Sequence, residues 1–439
     1  MSKQVTFFTE PGGSCQGAIR VAGDKSISHR SIMLGSLAKG TTEVTGFLEG
    51  EDALATLKAF KALGVKIEGP DQGKVTIHGV GMGGLKAPTQ DLNLGNSGTS
   101  MRLLSGLLSG QPFASKLTGD HSLSGRPMKR VIDPLLLMGA NIDSNEMGTA
   151  PLFLRGGESL KGIDYDMPMA SAQVKSCVLL AGLYAEGQTS VTEPAPTRDH
   201  TERMLQGFGY EVKREGATVT LQGGGELTAC NVDVPSDISS AAFFLVAGSI
   251  TPNASLTLSH VGMNPTRIGV INILQQMGAD ITVENAREVG GEPVADLVVK
   301  HAPLKGIQIP EDQVPLAIDE FPVIFIAAAC AEGQTVLTGA EELRVKESDR
   351  IQVMADGLVA CGINATATPD GMIIEGGQLT GGKLDSHGDH RIAMAFTVAG
   401  LQATGVIEIA DCDNVNTSFP DFIALANQVG INVSAKEVS

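Results

Sequence analysis

Along the 439-residue chain, one arrangement of apolar and polar positions returns six times. An amphipathic stretch rich in Leu, Ile or Met runs into a glycine, and beyond it the apolar residues alternate. The copies are LKAFKALGVKIE, IDPLLLMGANID, ERMLQGFGYEVK, INILQQMGADITV, VMADGLVACGINATA and FIALANQVGINVS. A change of apolar period from about 3.6 to 2 across a glycine predicts a helix, its stop and a strand. The pivotal residues are Gly64, Gly139, Gly209, Gly278, Gly362 and Gly430, at intervals of 68 to 84 residues. Such intervals are too long for a solenoid, so each copy reads as a small αβ subdomain.

A second helical pattern accompanies the first and is apolar nearly all round. It runs SMRLLSGLLSG from Ser100, SAQVKSCVLLAGLYAEG from Ser171, SSAAFFLVAGSI from Ser239, FPVIFIAAACAEG from Phe321 and HRIAMAFTVAG from His390. Helices of this kind belong inside a core, with only their first turns exposed. The length favours two domains over one. We therefore expect an α/β protein with one lobe of residues 1–20 plus 235–439 and another of residues 21–234, each with three repeats. The crossover is expected near Val234-Pro235-Ser236.

The formal net charge of -17 disfavours nucleic acid and anionic membranes as partners. Aromatic residues make up 4% of the chain and tryptophan is absent, which argues against base-stacking surfaces. The six cysteines lie far apart without a C-x-x-C pair, as reduced thiols do. The opening MSKQVTFFTEPGG has no apolar core of signal-peptide length, and no apolar run would span a bilayer. The expectation is a cytoplasmic monomer acting on small molecules, without metal or cofactor.

Against this acidic background, cations gather where apolar helices begin. Lys25-Ser26-Ile27-Ser28-His29-Arg30 follows Gly23, and Ser26 and Arg30 share a helix face. Free backbone N–H groups and the helix dipole already favour an anion there. Gly95-Asn96-Ser97-Gly98-Thr99-Ser100-Met101-Arg102 lets backbone approach a ligand closely. Ser124-Gly125-Arg126-Pro127-Met128-Lys129-Arg130, Arg198-Asp199-His200, Lys346-Glu347-Ser348-Asp349-Arg350 and Asp389-His390-Arg391 repeat the theme. Any one of these alone reads equally as a solvated turn or a capped helix. Their recurrence implies a substrate, or a pair of them, with several negative charges. Asp319, Glu320 and Glu347 are the acid–base candidates, although a carboxylate beside Lys or Arg is commonly a plain ion pair. His29 and His390 read as hydrogen-bonding residues. The nucleoside-triphosphate loop, the dinucleotide fingerprint, H-E-x-x-H and G-x-S-x-G are all absent.

The segments GDKSISHR, GNSGTSMR, SGRPMKR, SAQVKS, TRDHTE, AIDEFP, ELRVKESDR, GDHRIAM and TSFPDF occur in this order over essentially the whole length. In them the chain resembles the 5-enolpyruvylshikimate-3-phosphate (EPSP) synthase family. The resemblance implies a two-lobed inside-out α/β barrel of six βαβαββ units, three per lobe, around buried parallel helices. It also implies transfer of the enolpyruvyl group of phosphoenolpyruvate to the 5-hydroxyl of shikimate 3-phosphate, with release of phosphate. By matching position, Lys25, Ser26, Arg30, Ser171, Ala172, Gln173, Arg198, Asp319 and Lys346 would bind shikimate 3-phosphate. Lys25, Gly98, Arg126, Gln173, Arg350 and Arg391 would bind phosphoenolpyruvate, and Asp319, Glu347 and Lys25 would act in catalysis. Glyphosate, the family's inhibitor, would occupy the phosphoenolpyruvate site. Two positions depart from common members: Ala172 replaces a second serine, and Thr417 replaces a lysine. A UDP-N-acetylglucosamine enolpyruvyl transferase is the rival within the fold, but its mobile-loop cysteine has no counterpart here. A non-catalytic anion-binding protein on the same fold would have no use for Asp319 and Glu347 beside the cations.

Overall fold

The computed structural model describes residues 4–438. The chain forms two compact units, one of Gly23–Val234 with Val289–Gly291, the other of the chain up to Ala22, Pro235–Glu288 and everything from Glu292 onward. Each unit has its own apolar core.

In the unit of Gly23–Val234, three sheets share one strand order. Leu92–Asn93 runs parallel to Ser115–Thr118, which pairs antiparallel with Leu152–Leu154, which in turn holds Ile142–Asp143. Parallel neighbours need a crossover, and the helix Gly98–Ser109 supplies it. The amphipathic helix Lys129–Leu137 then leads into the hairpin. Asp164–Asp166, Gln188–Thr192, Thr218–Gln222 and Val212–Glu215 repeat this order around the helices Ala172–Gly182 and His200–Gly207. In the remaining sheet the helix Lys25–Leu37 feeds Ala38–Thr45, whose parallel partners, Leu227–Thr228 and Val232–Asp233, come from the far end of the unit.

The other unit repeats the scheme around the helices Ile238–Ile250, Phe321–Ala329 and His390–Ala399. One sheet is completed by the start of the chain: Gln4–Gly13 lies between Ile407–Ala410 and Ile431–Val438. Another pairs Gln16–Ile19 with Ser255–Gly262 in parallel. In the third, the outer parallel strand is reduced to bridges from Lys305 to Glu332 and from Gln308 to Val336. Among the described residues no helix is long and apolar enough to cross a membrane.

Every residue of Ile238–Ile250 and of Phe321–Ala329 is buried, as their all-round apolar sequences require. A buried helix must satisfy its first N–H groups locally. Asp24, Ser97, Ser171, Asp237 and Asp389 do so as side-chain caps for five of the six core helices. The six pivotal glycines all take φ between +81° and +101°. At Gly139 an added Cβ would meet nothing nearer than 3.8 Å, whereas at Gly430 it would lie 2.2 Å from Ser14 Oγ. Gly139→Ala should therefore cost only the left-handed backbone penalty, about 1–2 kcal/mol, and Gly430→Ala more. Denaturant unfolding of both variants checks this ranking.

Candidate active site

The first turns of the core helices carry Lys25, Ser26, Gly98, Ala172, Gln173 and Arg391, and the other expected site residues lie further along or on neighbouring elements. In the unit of Gly23–Val234, Asp24 Oδ1 accepts the Ile27 N–H at 2.8 Å and starts the helix at Lys25. Lys25 Nζ lies 2.6 Å from Asp52 Oδ2, with a quarter of its side chain (25%) exposed. Ser26 is half-buried beside it. Arg30 is buried: its guanidinium donates to Thr201 Oγ1 at 2.7 Å, Ser176 Oγ at 2.9 Å and the Ser26 carbonyl at 2.9 Å. It braces the turn bearing Lys25 and Ser26 as well as facing it. His29 is fully buried, and burial, then Lys25 and Arg30, push its pKa well below the usual histidine value. Its Nδ1 is 2.7 Å from Thr56 Oγ1, so it is a neutral core residue.

Ser97 caps the helix that opens with Gly98. Arg126 reaches back to Asn96 Oδ1 at 2.7 Å, while Lys129 and Arg130 of the same cluster remain exposed. Ser171 caps the helix of Ala172 and Gln173, accepting the Val174 N–H at 3.3 Å. Gln173 donates to Thr99 Oγ1 at 3.1 Å and accepts from Arg102 Nη1 at 2.5 Å. An added Cβ on Gly98 would sit 3.1 Å from Arg102 Nη1 and 3.2 Å from Arg126 Nη1. Gly98 thus faces the guanidinium ends of Arg102 and Arg126, and Gln173 is joined to them through Arg102. Arg198 lies half-buried just before the helix His200–Gly207.

The other unit gathers the carboxylates. Arg350, 1% exposed, meets Asp389 Oδ2 at 2.8 Å, Glu347 Oε2 at 2.6 Å and Asp319 Oδ1 at 3.4 Å. Burial disfavours its charge, but Asp389, Glu347 and Asp319 outweigh that and hold its pKa above the ordinary arginine value. Lys346 Nζ is 3.5 Å from Asp319 Oδ1 and 2.6 Å from Glu342. Asp319 and Glu347 remain 16% and 29% exposed, so both can meet a ligand. Glu320 turns inward instead, accepting from Ser239 Oγ and lying 3.7 Å from Arg391 Nη1. Thr417 is buried and its hydroxyl donates to the Asn414 carbonyl at 2.6 Å, so no cation stands at that position.

Residues 9–425 match the family model described as EPSP synthase (3-phosphoshikimate 1-carboxyvinyltransferase). The chain belongs to the EPSP synthase family. The 3-phosphoshikimate 1-carboxyvinyltransferase of Methylococcus capsulatus is 66% identical over 431 residues, covering 98% of this chain and 99% of that one. The enzyme of the same name from Hydrogenovibrio crunogenus is 66% identical over 445 residues, with full coverage of both chains (100%). A solved structure of EPSP synthase from Acinetobacter baumannii superposes with a TM-score of 0.91 at 63% identity, covering 99% of this chain and all (100%) of that one. The two-unit α/β fold described above is that of the EPSP synthases.

Sequence reasoning named Arg102 within its cluster but gave it no binding role, yet it touches Gln173 and faces Gly98. Its placement four residues after Gly98 on an apolar helix was the available signal. Sequence reasoning passed over Lys175, a lone lysine in an apolar helix, and its partners Glu193 and Glu202.

Proposed function

We propose that the chain transfers the enolpyruvyl group of phosphoenolpyruvate to the 5-hydroxyl of shikimate 3-phosphate. The observation that carries this reading is Arg350 bridging Asp319 and Glu347, two partly exposed carboxylates beside Lys346. A binder of anions gains nothing from carboxylates there, whereas a reaction that both adds and removes protons needs them. The 5-hydroxyl oxygen attacks C2 of phosphoenolpyruvate while its proton passes to a base and the methylene carbon receives one from an acid. A tetrahedral phospho-ketal results. Loss of a proton from the new methyl group then expels phosphate and restores the double bond.

Asp319 contacts the shikimate hydroxyls as proton acceptor, and Glu347 and Lys25 serve the carbon end. Ser26, Ser171, Ala172, Gln173, Arg30, Arg198 and Lys346 hold shikimate 3-phosphate, with the Ala172 contact made through backbone. Arg126, Arg350, Arg391, Gln173, Lys25 and the open backbone at Gly98 hold phosphoenolpyruvate. An anion that takes the Arg350 Nη donors releases a carboxylate for proton transfer. Preorganised cations stabilise the charge that develops, so the protein's own residues carry the electrostatic part. The protein works as a cytoplasmic monomer on these small molecules.

Mass analysis of the product tests this reading. The expected product is shikimate 3-phosphate bearing an enolpyruvyl ether, with UDP-N-acetylglucosamine left unchanged in the parallel reaction. An unmodified shikimate 3-phosphate would defeat it.

Gly98 also sets a ligand preference. A methyl group there meets the Arg102 and Arg126 guanidinium ends at 3.1 and 3.2 Å, so those groups must shift or the ligand must. Glyphosate reaches further than phosphoenolpyruvate and loses more, since overpacking costs about 1–3 kcal/mol. We expect the wild type to be inhibited by glyphosate. Gly98→Ala should weaken inhibition about tenfold or more, with a smaller rise in the KM for phosphoenolpyruvate. Equal losses, or an insensitive wild type, would contradict this.

A further inference from the structure

In the unit that carries Lys25, Gln173 and Arg198, two helices are joined near their first turns by buried charge. Lys175, on Ala172–Gly182, is 0% exposed, and its ammonium meets the carboxylates of Glu193 and Glu202, the latter at 2.7 Å. Glu202 lies on the helix His200–Gly207, and Glu193 directly follows the strand Gln188–Thr192. Arg214 stands 3.7 Å from Glu193 and 3.8 Å from Glu202, so two cations face two anions.

Stability does not account for this cluster. Desolvating buried charges is costly, and apolar residues of similar volume commonly serve as well or better. Position does account for it. Lys175 follows Gln173 by two residues on the same helix. Next to Lys175 and Glu202, Ser176 and Thr201 lie 2.7 Å apart, and both accept from Arg30. The second oxygen of Glu193 accepts the N–H of Thr197 at 2.7 Å, the residue before Arg198. The cluster therefore ties the loop ending at Arg198 to the helix presenting Ser171 and Gln173.

We propose that Lys175 is a positioning residue for shikimate 3-phosphate: through Glu193 and Glu202 it fixes Arg198 relative to Ser171 and Gln173. This rests on the functional reading above. A misplacement of about 1 Å in a binding constellation can cost up to about 100-fold.

The test uses the full chain and steady-state kinetics. Lys175→Met removes the charge at similar length. Lys175→Met/Glu202→Gln leaves Arg214 facing Glu193, keeps the cluster neutral, and serves if the single variant does not fold. The KM for shikimate 3-phosphate should rise about tenfold or more, while kcat and the KM for phosphoenolpyruvate stay within about threefold. A folded double variant with an unchanged KM for shikimate 3-phosphate would overturn the proposal. So would an equal rise in both constants, which is what general loosening produces. A wild type that fails to turn over defeats the functional reading and this inference with it. An active wild type with unaltered variants defeats the inference alone.

Discussion

Replacing Lys25 by methionine should lower turnover by about 100-fold or more, the usual cost of losing a preorganised charge stabiliser. Lys25 is the first residue of its helix, where the dipole already favours an anion, and its ammonium is partly exposed. Its partner Asp52 is 7% exposed, and among the described residues Asp52 Oδ1 has no hydrogen-bond partner. The single variant should therefore also lose about 1–3 kcal/mol of stability, because it strands a buried carboxylate. Lys25→Met/Asp52→Asn separates the two effects. Stability should recover in the double variant while turnover stays low. If turnover recovers along with stability, Lys25 serves the fold and not the reaction.

Asp319→Asn and Glu347→Gln should each reduce turnover by roughly 100-fold or more, with shikimate 3-phosphate affinity kept within about tenfold. Each amide keeps a hydrogen-bonding group of the same size and loses the ability to take a proton. Both residues sit on Arg350, which stays charged because burial is outweighed by three carboxylates. Removing one carboxylate leaves Asp389 and one other against the guanidinium, so the fold should survive either change. Binding by calorimetry and turnover on the same samples distinguish the outcomes. A variant with normal turnover would reduce that carboxylate to an ion-pair partner of Arg350.

The helix–glycine–strand units were legible because a change of apolar period is a local signal. Gly64 and its five counterparts marked each unit for the same reason, a left-handed stop that other residues resist. Closure of the sheets was not legible. Nothing in the sequence of Gln4–Gly13 announces that it will lie between Ile407–Ala410 and Ile431–Val438, because that pairing is decided by topology. The cations at helix starts could be read from spacing and from the family resemblance, but not their depth. Arg30 shares a face with Ser26, yet its guanidinium is buried among Thr201, Ser176 and the Ser26 carbonyl. Lys175 finds Glu193 and Glu202 far along the chain, where no spacing rule applies.

Release of inorganic phosphate by the purified full chain, with each substrate omitted in turn, tests the central claim most directly. Phosphate should appear only when phosphoenolpyruvate and shikimate 3-phosphate are present together. Release from phosphoenolpyruvate alone, or none with both substrates present, would contradict the account.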